Sequence, residues 1–245
     1  MNNSITTSGS VSHGVIAMSL AGGGGLTISP YDGVYAHGGN GTGSAGAVHV
    51  NVASGVSIKT SGSGSTGIWS ASIDDPVINI APGASVTGGP GGVGVYFGGP
   101  INTLNNSGYV GTADGVSGSS VVSADGSTTV NNSGITVGDI TLGGIGNVIN
   151  NFAATDQSLV TSSISVGVGI RLELGGSISP TLINAGLIAP GSAGPTTIIA
   201  NNGGTLNHAD LGVVNTAIMT YGLIKDANSV QLTSTANFAP SGLTT

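Results

Sequence analysis

No cysteine occurs in this chain of 245 residues, which removes a disulfide frame, a thiolate zinc site and a thiol nucleophile together. Charge is almost as scarce. Only 5% of residues are charged, and Lys59, Arg171 and Lys225 stand against ten acidic residues for a net charge of −7. A nucleic-acid surface needs several cations to neutralise successive phosphates, and three scattered ones cannot build it, so no nucleic-acid partner is expected. A polybasic membrane contact fails on the same count. No apolar run approaches the ~20 residues needed to span a bilayer as a helix. The opening residues, MNNSITTSGS, have neither the basic start nor the apolar stretch of a signal peptide. A soluble protein is expected.

Helix formers are missing as well. Lys and Glu are sparse and 46 residues are glycine, which argues against helices of any length. Disorder is not the alternative, because low hydrophobicity with high net charge is absent and 38% of the residues are apolar. Val, Ile and Leu fall in short alternating runs bounded by Gly, Asn, Ser and Asp, the pattern of many short strands joined by tight turns.

Those runs repeat. INTLNNSG at 101–108, TTVNNSG at 128–134 and NVINN at 147–151 each end alternating apolar residues on an Asn pair. VHVNVASG at 48–55, VINIAPG at 77–83 and TLINAG at 181–186 are looser versions. Gly55, Gly83, Gly108 and Gly134 fall at steps of 28, 25 and 26 residues. A repeat near that length marks a solenoid, in which each unit stacks on its neighbours. A second element, glycine followed by an apolar residue, interleaves with the first at Gly67-Ile68-Trp69, Gly94-Val95-Tyr96 and Gly115-Val116-Ser117. It also appears at Gly14-Val15-Ile16 and Gly33-Val34-Tyr35. One turn therefore reads as strand, corner, second strand (VSIKT, ASVTG, YVGTA), glycine-rich loop and third strand (GIWSA, GVYFG). Three short strands per turn make an all-β fold, a parallel β-helix, with period 2 dividing side chains between lumen and solvent. Asn is expected at left-handed corners, with its amides stacked along the axis. Eight to ten turns would make a rod of about 40–45 Å. Glycine-dense stretches at 21–25, 38–46, 61–67 and 88–99 are expected as loops projecting from one corner. The regular repeats are placed at 1–186, and 187–245 is taken as terminal turns and an irregular C-terminal cap of the same rod.

Little chemistry is written on this scaffold. His13, His37, His49 and His208 are far apart, and none forms a metal-binding pair such as HExxH. His49 reads as an outward strand residue and His208-Ala209-Asp210 as a polar turn. Cleavage of a glycosidic bond needs carboxylates converging on one sugar, but Asp74-Asp75 precedes Pro76 and reads as a turn. Serine hydrolysis needs a Ser beside a base and an acid, and no GxSxG occurs. Asp114, Asp125, Asp139 and Asp156 do not fall at the tandem spacing of calcium repeats. No enzymatic activity, metal or cofactor is expected.

Aromatic residues, 4% of the chain, carry the one binding clue. Tyr35, Trp69, Tyr96 and Phe97 follow glycine at similar phase. Two placements are open to them: a ridge or groove that stacks on sugar rings or protein surfaces, or the wide corner of the lumen.

The NNSG turns followed by Ile or Val, then GLIAPGSAG, resemble passenger repeats of bacterial autotransporters. The stretch YGLIKDANSVQLTSTANFAPSGL, 221–243, resembles the end of such a passenger just before its outer-membrane barrel. The resemblance is strongest over 101–245 and extends to 1–100 in repeat style. It implies a right-handed β-helix, displayed at or shed from a Gram-negative cell surface. Such passengers are commonly adhesins and sometimes proteases, esterases or toxins. With the thin catalytic inventory above, the expected role is non-enzymatic adhesion or structure, with a host surface protein or glycan as partner. A barrel domain, expected in the full-length protein, is not part of this chain. The rival readings are a polysaccharide-acting β-helix hydrolase or lyase with its site in the 38–99 loops, and a truncated gene remnant without activity.

Overall fold

Ile101–Asn106, the strand written INTLNN, buries Asn102, Leu104 and Asn106 and turns Ile101, Thr103 and Asn105 outward. It pairs in parallel with Val77–Ile80 on one side and Ser127–Asn132 on the other. This arrangement, repeated, is the fold. The computed structural model describes residues 1–20, 25–29, 33–37, 44–72, 74–144 and 146–151. Beyond these it describes the strand segments 163–166, 170–172, 181–184, 187–190, 196–201, 219–225 and 229–236.

Three sheets of stacked parallel strands form the walls of a parallel β-helix. The first sheet has six strands, from His49–Val52 through Val77–Ile80, Ile101–Asn106, Ser127–Asn132 and Val148–Asn151 to Thr181–Asn184. The second has seven: Ile5–Thr7, Ser57–Thr60, Ser85–Gly88, Tyr109–Thr112, Ile135–Val137, Ser163–Val166 and Leu187–Pro190. The third runs from Val15–Ser19 through Ile68–Ser72, Val93–Phe97, Ser119–Ser123, Asp139–Leu142 and Ile170–Leu172 to Thr196–Asn201. Two further strands, Ser229–Ala236 and Met219–Lys225, then close it in antiparallel fashion. Parallel pairing thus continues past residue 187, and the change to antiparallel pairing comes with the last two strands.

Apolar columns fill the lumen. Val50, Ile78, Leu104, Val130 and Ile149 stack from the first sheet. Ile58, Val86 and Val110 come from the second, and Ile68, Val95, Val121 and Ile140 from the third. Each such side chain contributes roughly 1.5–3 kcal/mol on burial, so a narrow rod gains a core from columns one residue wide.

The described strands make seven levels, fewer than eight to ten, and at the strand spacing the stack rises about 29 Å. Successive Asn positions lie 28, 26, 26 and then 19 residues apart, so the repeat is not of constant length. Gly115–Ser117 is a single 3-10 turn, and the third-sheet strand of that level is Ser119–Ser123. The Gly33-Val34-Tyr35 motif lies in an antiparallel hairpin of Gly25–Ser29 with Gly33–His37, outside the parallel sheets. The stretch 61–67 does not project as a loop. It stacks on 88–93, with the Gly64 N–H donating to Pro90 O (2.8 Å) and the Gly89 N–H to Ser65 O (2.8 Å).

Gly67, just before Ile68–Ser72, and Gly94, second in Val93–Phe97, each have a steric cause. A Cβ on Gly67 would lie 2.7 Å from Gly94 O, and one on Gly94 would lie 2.6 Å from Ser120 O, with Gly111 O and Val110 Cγ1 at 2.9 Å. Gly94→Ala is therefore expected to force adjacent levels apart and cost about 1–3 kcal/mol. A lower urea midpoint with an unchanged slope would register it. A midpoint equal to wild type would show that the levels can yield.

The corner between the first and second sheets comes in two forms. In the earlier levels it has four residues, Ala53–Val56 and Ala81–Ala84, closed by Val56 N–H to Ala53 O (3.1 Å) and Ala84 N–H to Ala81 O (3.0 Å). Gly55 and Gly83 sit there at φ of 76° and 75°, which suits the third position of a type II turn, and Pro82 suits the second. In the next two levels the corner shrinks to Ser107-Gly108 and Ser133-Gly134. The Asn pairs are not left-handed corner residues as expected; Asn105-Asn106 and Asn131-Asn132 are extended strand residues.

Candidate functional site

Period 2 splits each Asn pair. The first member faces out and forms a column in which Asn79 Nδ2 donates to Asn51 Oδ1 (2.7 Å) and Asn105 to Asn79 (2.7 Å). Asn131 donates to Asn105 (2.8 Å) and Asn150 to Asn131 (2.8 Å), continuing it. The second member faces the lumen, where Asn106 Nδ2 donates to Asn132 Oδ1 (2.8 Å) and Asn132 Nδ2 to Asn151 Oδ1 (2.9 Å). Stacked amides are thus present along the axis twice over. Beside the outer column, where the corner shortens, Asn51, Asn79, Asn105, Ala81 and Ser107 line an open depression of about 390 Å³, closed on one side by Met1 and Asn2.

The third sheet carries the aromatic ridge. Trp69 and Tyr96 are directly opposite each other on neighbouring strands. Both are half-buried and alternate with inward neighbours. Their ring centroids are 4.4 Å apart at a tilt of 43°, a stacking contact worth about 0.5–1.5 kcal/mol beyond burial. His13, from the corner before Val15–Ser19, meets Trp69 edge-on at 5.3 Å and 70°. Burial pushes the Tyr96 phenol up, and the charge of Asp125 adds to that. Burial also raises Tyr109.

Of the four aromatic candidates, Trp69 and Tyr96 are brought together on the outside. Phe97, the next residue after Tyr96, faces the lumen and is fully buried, because adjacent strand residues point to opposite faces. Tyr35 lies opposite Thr27 in the separate hairpin and shares no column with Trp69. The two placements open from sequence are therefore both used, one by the pair Trp69–Tyr96 and the other by Phe97.

His49 stands outward and exposed on its strand, and Asp74-Asp75 form an exposed bend in which the Asp74 N–H donates to Ser72 Oγ (3.1 Å). His208 and Asp210 lie outside the described residues. Among the described residues, no group of three or more His, Cys, Asp or Glu could hold a metal ion, and no helix is long and apolar enough to cross a membrane. His13 is the member of the ridge that sequence reasoning missed. The signal was available, since Gly14 aligns with Gly67 and places His13 one residue ahead of the Trp69 motif. Searches of protein-family models, curated proteins and solved structures find no match to this chain.

Proposed function

We propose that this chain is the passenger portion of an autotransporter-type surface protein, acting by adhesion or as structure and not by catalysis. Its partner would be a protein or glycan of a host surface, and a barrel domain of the full-length protein would hold it at the outer membrane. The reading is supported by the NNSG turns on a parallel β-helix and by an antiparallel closure formed from the segment that resembles a passenger's end. Among the described residues, the observation that carries it is the half-exposed Trp69–Tyr96 pair, set on a wall with few charges. Aromatic side chains of this kind combine a large apolar area with little conformational entropy to lose on contact.

The experiment is adhesion of bacteria displaying the chain, wild type against the Trp69→Ala/Tyr96→Ala double variant. Binding to host cells or matrix is expected to weaken by about tenfold or more, equivalent to about 1.4 kcal/mol, with the β-sheet signal retained. Equal adhesion by the two would remove the ridge as the contact surface. Wild-type binding no greater than that of undisplayed cells would remove the adhesive reading itself.

A further inference from the structure

The corner bearing His13 differs from the two corners stacked beneath it. Residues 9–14 lie over 62–67 and 89–94, in keeping with the pairing of Val15 and Val95 with Ile68. Gly64 and Gly91 take left-handed φ values of 69° and 63° in their corners, and the same place in the first corner is filled by Val11 at φ 52°. Val11 is the one non-glycine residue with positive φ among the described residues, and a β-branched side chain is strained there. The first corner therefore starts at a disadvantage its neighbours lack.

Five hydrogen bonds join that corner to the next level. Val11 N–H donates to Ser63 O (2.9 Å), Gly14 N–H to Thr66 O (3.0 Å) and Ser12 N–H to Ser65 Oγ (2.9 Å). Two run back, from Ser65 Oγ to Gly9 O (3.2 Å) and from the Thr66 N–H to His13 Nδ1 (3.0 Å), and the last alone depends on a titratable group. We propose that His13 is an acid-released latch, clamping the strained first corner onto the second level when neutral and letting it go when protonated.

The proton inventory sets the direction. An Nδ1 that accepts a hydrogen bond leaves the ring proton on Nε2, and Nε2 is buried without a partner. Protonating Nδ1 sets two donors against each other, N–H facing N–H, and places a cation on a half-buried ring whose Nε2–H has no partner. Attraction between an imidazolium and the Trp69 ring opposes this, but it replaces neither the lost acceptor nor the lost hydration. Among the described residues, no carboxylate acts on His13. Tyr96 lies beyond Trp69 on the ridge, Asp125 acts on Tyr96, and Lys59 is exposed on the second sheet. Burial alone displaces the imidazole, and it does so downward from 6.5. The folded state thus favours the neutral form. The latch contributes fully above about pH 6.5 and is lost as pH falls from there through the lower folded value.

Trp69 is the only tryptophan in the chain, so its emission reports on His13 directly. Titration from pH 8 to 4.5 is expected to give a reversible emission step with a midpoint below 6.5, while the far-UV β signal persists. The step should vanish in His13→Asn, which keeps an acceptor near Nδ1 but cannot titrate, and remain in the control His49→Gln. In the unmodified protein, Thr66 amide exchange, corrected for its intrinsic pH dependence, should accelerate about tenfold for each unit by which the His13 pKa is displaced. A flat wild-type emission, a step retained in His13→Asn, or Thr66 protection unchanged through the His13 titration would each overturn the latch. The Thr66 measurement needs no variant, so it decides the matter even if His13→Asn fails to fold.

Discussion

Val130→Asp is expected to remove most or all of the cooperative unfolding transition of the central levels. Val130 is fully buried, and its register partners Leu104 and Ile149 are fully buried too. A carboxylate there would meet apolar side chains along the axis on both sides, with no donor supplied by the column. An uncompensated buried charge of this kind costs about 3–5 kcal/mol, against total stabilities of about 5–15 kcal/mol for ordinary domains. In a solenoid the loss is also felt locally, because each level depends on its immediate neighbours. The deficit should grow as pH rises through about 4, since the folded state accepts only the protonated acid. Urea denaturation followed by far-UV circular dichroism at pH 4 and pH 8 reads both effects. A midpoint matching wild type at pH 8 would mean that position 130 does not face the lumen.

That residue also shows why the fold was legible. INTLNN and TTVNN carry strict period 2, so the inward assignment of Leu104 and Val130 follows from the sequence once a strand is granted, and the structure places both there. The corners were harder. Whether an Asn beside Ser-Gly bends the chain or ends a strand turns on corner length, and APGA and SG look alike as turn-formers. Only the three-dimensional register shows that Asn106 and Asn132 take a column occupied one and two levels earlier by Ile80 and Val52. The placement of Gly115 failed for a related reason. Glycine before an apolar residue marks the third sheet only where backbone crowds it, and Gly115, at φ 60° with open space around it, is a turn glycine. In the ridge, phase aligned Trp69 with Tyr96 but left lumen and surface open, and His13 joins them through a contact between levels 53 residues apart.

Asn132→Ala is the second large effect, and Asn131→Ala beside it is the control that gives it meaning. Asn132 is fully buried. Its Oδ1 accepts from Asn106 Nδ2 (2.8 Å) and Thr136 Oγ1 (3.1 Å), and its Nδ2 donates to Gly134 O (3.2 Å) and Asn151 Oδ1 (2.9 Å). Truncation removes four bonds at once, and each buried group left short of a partner costs about 1–3 kcal/mol. Asn106 Nδ2 retains Ile135 O (3.1 Å) and Thr136 Oγ1 (3.3 Å), so the loss falls below the simple multiple, at about 3–5 kcal/mol. Asn131 bonds only along the outer column, to Asn105 and from Asn150, where water can replace the amide. Its loss should stay within about 1 kcal/mol. Urea midpoints of the two variants should therefore differ strongly, although the substitutions are adjacent and chemically identical. Equal midpoints would mean that the inner amides are not what ties the two-residue corners together. Restoring an apolar residue should not rescue position 132. Val52 and Ile80 are tolerated in that column because their four-residue corners close through backbone bonds, whereas Ser133-Gly134 has the Asn132 amide bonded to Gly134 O. Asn132→Ile should fail in the present corner and recover only when Ser133-Gly134 is replaced by the four-residue Ala-Pro-Gly-Ala turn of 81–84.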